Sequence, residues 1–157
     1  MKKIPCTKEE HQELEQELST LKNIERPNII KAIASARALG DLSENAEYHS
    51  AREKQSFIEG RIQKLISVLS SCEIIDPTLI KSNQIQFGAT VTLVNIDTKE
   101  QKVYKILGEY GANPKKGSIS YNSPLAKALM GKKAKEIIDF TTGKGEQALE
   151  IVDIKYQ

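Results

Sequence analysis

From Ala51 onward the positions Ala51, Gln55, Ile58, Ile62, Leu65 and Leu69 recur at alternating steps of four and three, all apolar except Gln55. That spacing averages 3.5 residues, the period of a helix that packs along another helix. A chain that keeps it for five turns is committed to a long helix with one buried seam. Gly60 lies within the run and costs roughly 1 kcal/mol of helix propensity, which a continuous seam must outweigh. A matching stripe precedes it. Thr7 and Glu10 have the spacing of a capping box, in which each side chain satisfies the other residue's backbone amide. Leu14, Leu18 and Leu21 then continue at helical steps. Pro27 lacks the amide hydrogen that the helix needs, so a kink or short break is expected there. The stripe resumes with Ile30, Ile33 and the small residues Ala34 to Ala38, and stops near Gly40.

Two such helices joined through Leu39 to Asn45 form an antiparallel hairpin. Helices of about 30 residues make a rod of roughly 45 Å. The far end of such a rod cannot be covered by the rest of this chain, so the tip stands in solvent or enters another molecule.

Past Ile74-Ile75-Asp76-Pro77 the period changes to two. Thr90 to Val94 and Val103 to Leu107 alternate as strands around a turn at Asp97 to Glu100. Ser118 to Ser120 is a weaker strand. Ser123 and Pro124 cap and open a short helix over Leu125 to Met130, closed by Gly131. Glu136 to Thr141 and Ala148 to Ile154 form a last hairpin across Gly143-Lys144-Gly145. The fold class is therefore α+β: a coiled-coil hairpin domain over residues 1–76, then a domain over 80–157 built from an antiparallel sheet and one short helix.

Charge and cysteine content narrow the function. Up to Asp76 there are 11 Lys/Arg against 13 Asp/Glu, and from Pro77 there are 12 against 8, so the halves suit different surfaces. A formal net charge of +2 is too small for wholesale coating of nucleic acid. Cys6 and Cys72 have no Cys or His neighbour at metal-ligand spacing, which argues against a zinc site and for reduced thiols. Met1-Lys2-Lys3 is not followed by a secretory apolar stretch, and no window approaches the roughly 20 apolar residues of a membrane span. A soluble, cytoplasmic protein is expected.

The chemistry concentrates between Arg37 and Tyr48. Asp41 and Glu44 are three apart, so a helix starting near Asp41 projects both carboxylates from one side of its first turn. Such oxygens suit Mg²⁺, although two are too few to hold the ion alone. The same residues also serve capping, with Asp41 or Ser43 as N-cap and Glu44 as a favourable first-turn charge. Arg37 and Arg52 flank the tip and have the geometry for phosphate, or else pair with Glu44, Glu47 or Glu53. Ser123 has no spaced His or Asp partner, so its N-cap role stands. No phosphate-binding Gly-rich loop is present.

The segment Gly40-Asp41-Leu42-Ser43-Glu44-Asn45-Ala46-Glu47-Tyr48, followed by Ala51-Arg52-Glu53 and Glu59-Gly60-Arg61-Ile62, resembles the Gre family of transcript-cleavage factors. Ile4-Pro5, Arg26-Pro27, Phe87 to Val91 and Asn122-Ser123-Pro124 extend the resemblance over the whole chain. It implies a coiled coil entering the secondary channel of bacterial RNA polymerase and an FKBP-like C-terminal domain docked outside, with Ser123 and Pro124 in the docking surface. It further implies that Asp41 and Glu44 complete the coordination of a Mg²⁺ whose other ligands belong to the polymerase, and that Arg37 and Arg52 contact the nascent RNA near its 3′ end. The cleaved bond lies in the backtracked RNA, and the chain is a cofactor of an enzyme rather than an enzyme, expected to be monomeric. With few cations beside Arg37 and Arg52, it is similar to the family type with the smaller basic patch and short cleavage products. Competing expectations are a channel-binding inhibitor of polymerase, a prolyl isomerase or chaperone built on the C-terminal half, and a plain structural coiled coil.

Overall fold

The computed structural model describes residues 3–157. By contact the chain divides into two units, one spanning His11–Cys72 and the other combining Lys3–Glu10 with Glu73–Gln157.

The first unit is the helical hairpin. Helix α1 (Lys8–Thr20) runs through a π-turn, Leu21–Glu25, into α2 (Arg26–Arg37), and α3 (Ala46–Ser71) returns. The expected break at Pro27 does not occur: Thr20, Glu25 and Arg26 all keep right-handed helical dihedrals. Pro27 instead sits in the opening turn of α2, and the Arg26 amide reaches back five residues to Leu21 O. A π-turn takes one residue more than an α-turn, and the extra width accommodates a ring that would otherwise crowd the preceding carbonyl.

That extra residue moves the apolar stripe. Leu14 is buried, and Leu18 and Leu21 pack against the seam, but beyond the turn the buried positions are Ile29, Ile33 and Ala36. Ile30, expected inside, is 52% exposed. Ile29 and Ile33 pack with Ile58 and Ile62 of α3, and Leu65 and Val68 are buried further along that helix. Each such burial contributes roughly 1.5–3 kcal/mol. Two bidentate pairs flank the seam: Arg26 with Glu59 at 2.7 and 2.8 Å, and Arg61 with Glu17 at 2.8 and 2.9 Å.

The second unit holds a five-stranded sheet in the order β5-β4-β3-β7-β6, formed by β3 (Ala89–Asn95), β4 (Gln101–Leu107), β5 (Ser118–Ser120), β6 (Ile137–Thr142) and β7 (Gly145–Tyr156). Helix α4 (Pro124–Leu129) covers one face, burying Ala126 and Leu129 with Val91, Ile106 and Ile151. The sheet is antiparallel except at its edge, where β5 runs parallel to β4. Residues 108–117 supply the length to carry the chain back along β4, which a tight turn could not do. A separate two-stranded sheet pairs β1 (Ile4–Cys6) with β2 (Cys72–Ile74).

The capping box forms as expected, with the Thr7 amide donating to Glu10 Oε1 and the Glu10 amide to Thr7 Oγ1. Glu10 does more than cap. It is 4% exposed, and the Gly108 amide also donates to its Oε1 at 3.0 Å. Gly108 and Gly111 lie so close that a Cβ on Gly111 would stand 2.4 Å from Glu10 Cγ, which explains two side-chain-free positions in that loop. Among the described residues no helix is long and apolar enough to cross a membrane.

The arginine pairs make the hairpin acid-sensitive. Hydrogen bonds from Arg26 hold the Glu59 carboxyl below its ordinary value of 4.5, and those from Arg61 do the same for Glu17. A carboxylate with a depressed folded-state pKa stabilises the fold at pH values above its unfolded pKa, and that contribution is lost as pH falls through the folded value. The melting temperature followed at 222 nm should therefore drop between about pH 5 and pH 3. It should drop less in a Glu17→Gln/Glu59→Gln variant, and equal drops would show that the pairs do not contribute.

Candidate functional site

The hairpin turns through residues 38–45. Gly40, at φ 136°, takes a backbone conformation that L side chains rarely adopt and lets the chain leave α2. The link runs over Leu39 to Asn45 as expected, and the alternative of a helix starting near Asp41 is not realised by α3. Its N-cap is Asn45, extended at φ −86° and ψ 98°, whose Oδ1 accepts from the Tyr48 amide at 3.0 Å. Asp41 and Glu44 therefore lie in the loop, and neither of the capping roles open to them is filled. The reason is local: Asp41 Oδ1 accepts from both the amide and the hydroxyl of Ser43, each at 3.0 Å. That turn offers the backbone an alternative to the helix.

Asp41 and Glu44 nevertheless line one shallow depression, together with Leu39, Asn45, Ala46 and Glu47. Both are exposed. The Ser43 donors, the amide first, hold the Asp41 carboxyl below its ordinary 3.8. Glu44 makes no side-chain hydrogen bond or ion pair among the described residues. Asp41 Oδ2 and both Glu44 oxygens are thus available as hard donors. Among the described residues no group of three or more His, Cys, Asp or Glu side chains is placed to hold a metal. The donor set fits Mg²⁺, which is commonly held through one or two carboxylates with other oxygens supplied elsewhere.

Arg37 and Arg52 come together as expected, lining a second depression between α2 and α3 with Ile30, Ile33, Ala34 and Gln55. Neither forms an ion pair among the described residues, so the proposed pairing with Glu44, Glu47 or Glu53 is not seen. The Arg37 guanidinium stands 5.7 Å from the centre of the Tyr48 ring, an aromatic face that keeps the cation in place without neutralising it. His49 lies edge-on to Tyr48, with Nε2 3.3 Å from Ser43 O, a hydrogen bond in the tautomer protonated at Nε2.

Ser123 lies in the other unit as the N-cap of α4, accepting from the Ala126 amide at 3.3 Å, and Pro124 follows exposed at the first helical position. Two residues at the tip have no individual role assigned from sequence: Asn45 and Tyr48. For Asn45 the signal was present, since Asn is among the strongest N-cap residues.

The fold and the tip define a class of protein: a helical hairpin that ends in two open carboxylates, flanked by two arginines without an ion pair among the described residues. Comparison with known proteins narrows the class. The family model described as transcription elongation factor, N-terminal, matches residues 4–74, and that described as transcription elongation factor, GreA/GreB, C-term, matches residues 80–156. Transcription elongation factor GreA of Ruegeria pomeroyi is 55% identical over 156 residues, covering 99% of each chain. GreA of Paracoccus denitrificans is 50% identical, again over 99% of each. Among solved structures, a GreA factor homolog of Thermus thermophilus aligns over 98% of this chain and 99% of its own, at 22% identity and a TM-score of 0.46. The chain belongs to the GreA/GreB family of transcription elongation factors.

The Ser43 contacts give the site a measurable signature. A Ser43→Ala variant keeps the amide donor and loses the hydroxyl, so the Asp41 pKa should rise toward 3.8, read from the carboxyl carbon shift in an NMR titration. An unchanged value would mean that the hydroxyl does not reach Asp41 in solution.

Proposed function

We propose that this chain stimulates hydrolytic cleavage of backtracked RNA by bacterial RNA polymerase, with the hairpin tip inserted through the secondary channel. One observation carries the reading. Asp41 and Glu44 share a depression at the exposed turn, with oxygens that no other described residue engages beyond the single Asp41–Ser43 turn. Apart from the Asp41–Ser43 turn these carboxylates hold nothing together among the described residues, and membership of an elongation-factor family supports a role for them in that process. In this reading Asp41 and Glu44 hold a Mg²⁺ jointly with ligands from the polymerase. The bound ion supplies an activated water or stabilises the leaving oxygen of the phosphodiester. The chain contributes ligands and orientation, and the polymerase remains the enzyme. Arg37 and Arg52, side by side and unpaired, face the RNA phosphates. Ser123 and Pro124, at the exposed start of α4, belong to the surface that docks on the polymerase. A cytoplasmic location accords with this reading.

The decisive experiment adds the protein to stalled, backtracked elongation complexes and follows RNA length on a gel. Asp41→Asn or Glu44→Gln should lower the stimulated rate by more than about 100-fold, since a direct ligand should matter at least as much as an outer-shell partner. Both variants should still compete with wild type for polymerase. Loss of competition in step with cleavage would assign the carboxylates to docking instead.

The arginines make a separate prediction. Each phosphate contact on a single strand contributes about 0.7 to the slope of log affinity against log salt. Crosslinking from the RNA 3′ end to an Arg37→Ala/Arg52→Ala variant should therefore weaken and lose salt dependence. An unaltered salt profile would remove these arginines from the RNA path.

A further inference from the structure

Resting on the functional reading above, we propose that Asn45 is the positioning residue of the acidic tip, its carboxamide bridging the end of α2 to the start of α3 and so fixing where Asp41 and Glu44 stand.

The Asn45 side chain does two things at once. Its Nδ2 donates to Ala36 O at 2.6 Å, and its Oδ1 accepts from the Tyr48 amide at 3.0 Å. The last carbonyls of one helix and the first amides of the next both lack intrahelical partners, and here a single amide group satisfies one of each. Ala36 is a firm anchor: it is 3% exposed, and its carbonyl also accepts from the Leu39 amide at 3.1 Å. The second half of the turn is tied separately, by Asp41 to Ser43 and by His49 to Ser43 O. Among the described residues the first half has no such side-chain tie, and a Cβ built on Gly40 would touch nothing within 4 Å. Where the Asp41–Glu44 segment stands relative to the two helices therefore depends on how their ends are held. Asn suits that task because it both donates and accepts. A carboxylate at this position would still cap α3, but it has no hydrogen to give to Ala36 O.

That difference provides the test. Asn45→Asp keeps the cap and removes the bridge, while Asn45→Ala removes both. In the free full-length protein, the ¹⁵N heteronuclear NOE of residues 39–44 should fall in both variants. The Tyr48 amide should stay protected from exchange in Asn45→Asp only. With backtracked complexes, the Mg²⁺ concentration giving half-maximal cleavage should rise about 10-fold or more for Asn45→Asp. Competition with wild type for polymerase should stay within about twofold, because docking does not depend on the bridge. A turn as ordered as wild type in Asn45→Asp would overturn the proposal, as would a Mg²⁺ requirement unchanged from wild type. A wild-type chain that stimulates no cleavage would overturn the functional reading instead, and the relaxation measurement would still decide whether Asn45 orders the turn.

Discussion

Pro27 has no amide hydrogen to give, and the helix that passes through it must find room for the ring. The π-turn at Leu21–Glu25 provides that room at the cost of one extra residue, which rotates everything beyond it by about 100° relative to an uninterrupted α-helix. Continued without the turn, the stripe of Leu14, Leu18 and Leu21 would bring Asn28, Ala32 and Ser35 against α3. With it, Ile29, Ile33 and Ala36 arrive there and meet Ile58 and Ile62. The phase also decides the tip. Ala36 O reaches the Asn45 amide and Arg37 comes beside Tyr48 because α2 has been turned by that one residue.

This explains where reading the sequence succeeds and where it stops. A period of 3.5 followed by a period of 2 identifies the hairpin and the α+β half because burial leaves a repeating mark on each element. The capping box, the Ser123 cap and the turn around Gly143 are equally visible, being contacts between residues a few positions apart. The π-turn leaves no residue type of its own; its trace is the displacement of the stripe from Ile30 to Ile29. The N-cap of α3 is not singled out by residue type, because Asp41, Ser43 and Asn45 are all good caps. The choice among them rests on Asp41 spending its oxygen on Ser43, which periodicity does not report. The hold of Glu10 on Gly108 spans 98 positions, and the parallel edge strand β5 depends on a connection whose path has no pattern. The paired carboxylates were found by position and motif, whereas their surroundings had to be seen.

All four arginines of the chain lie in the hairpin, and the structure divides them into two kinds. Arg26 and Arg61 meet glutamates through both arms of the guanidinium and are spent on holding helix to helix. Arg37 and Arg52 form no ion pair among the described residues despite a turn rich in acidic side chains, and Arg37 rests instead on an aromatic face. In the proposed function these two cations would meet RNA phosphate, which suits the fork geometry of the guanidinium.

The same economy bears on the turn. In the proposed function Asp41 and Glu44 lend oxygens to an ion shared with the polymerase, and they would serve it only with their positions set beforehand. Fixing one residue's backbone costs about 1–2 kcal/mol, so a floppy turn would spend much of the insertion energy on ordering itself. The tip answers with short polar ties and no apolar core of its own: Asn45 across the helix ends, Asp41 and His49 onto Ser43, and Leu39 left 66% exposed. Burial would have ordered the turn as well, but it would have covered the oxygens. Hydrogen bonds to backbone groups stiffen the loop while leaving Asp41 Oδ2 and the whole Glu44 carboxylate open, the combination that the proposed metal ligation would require.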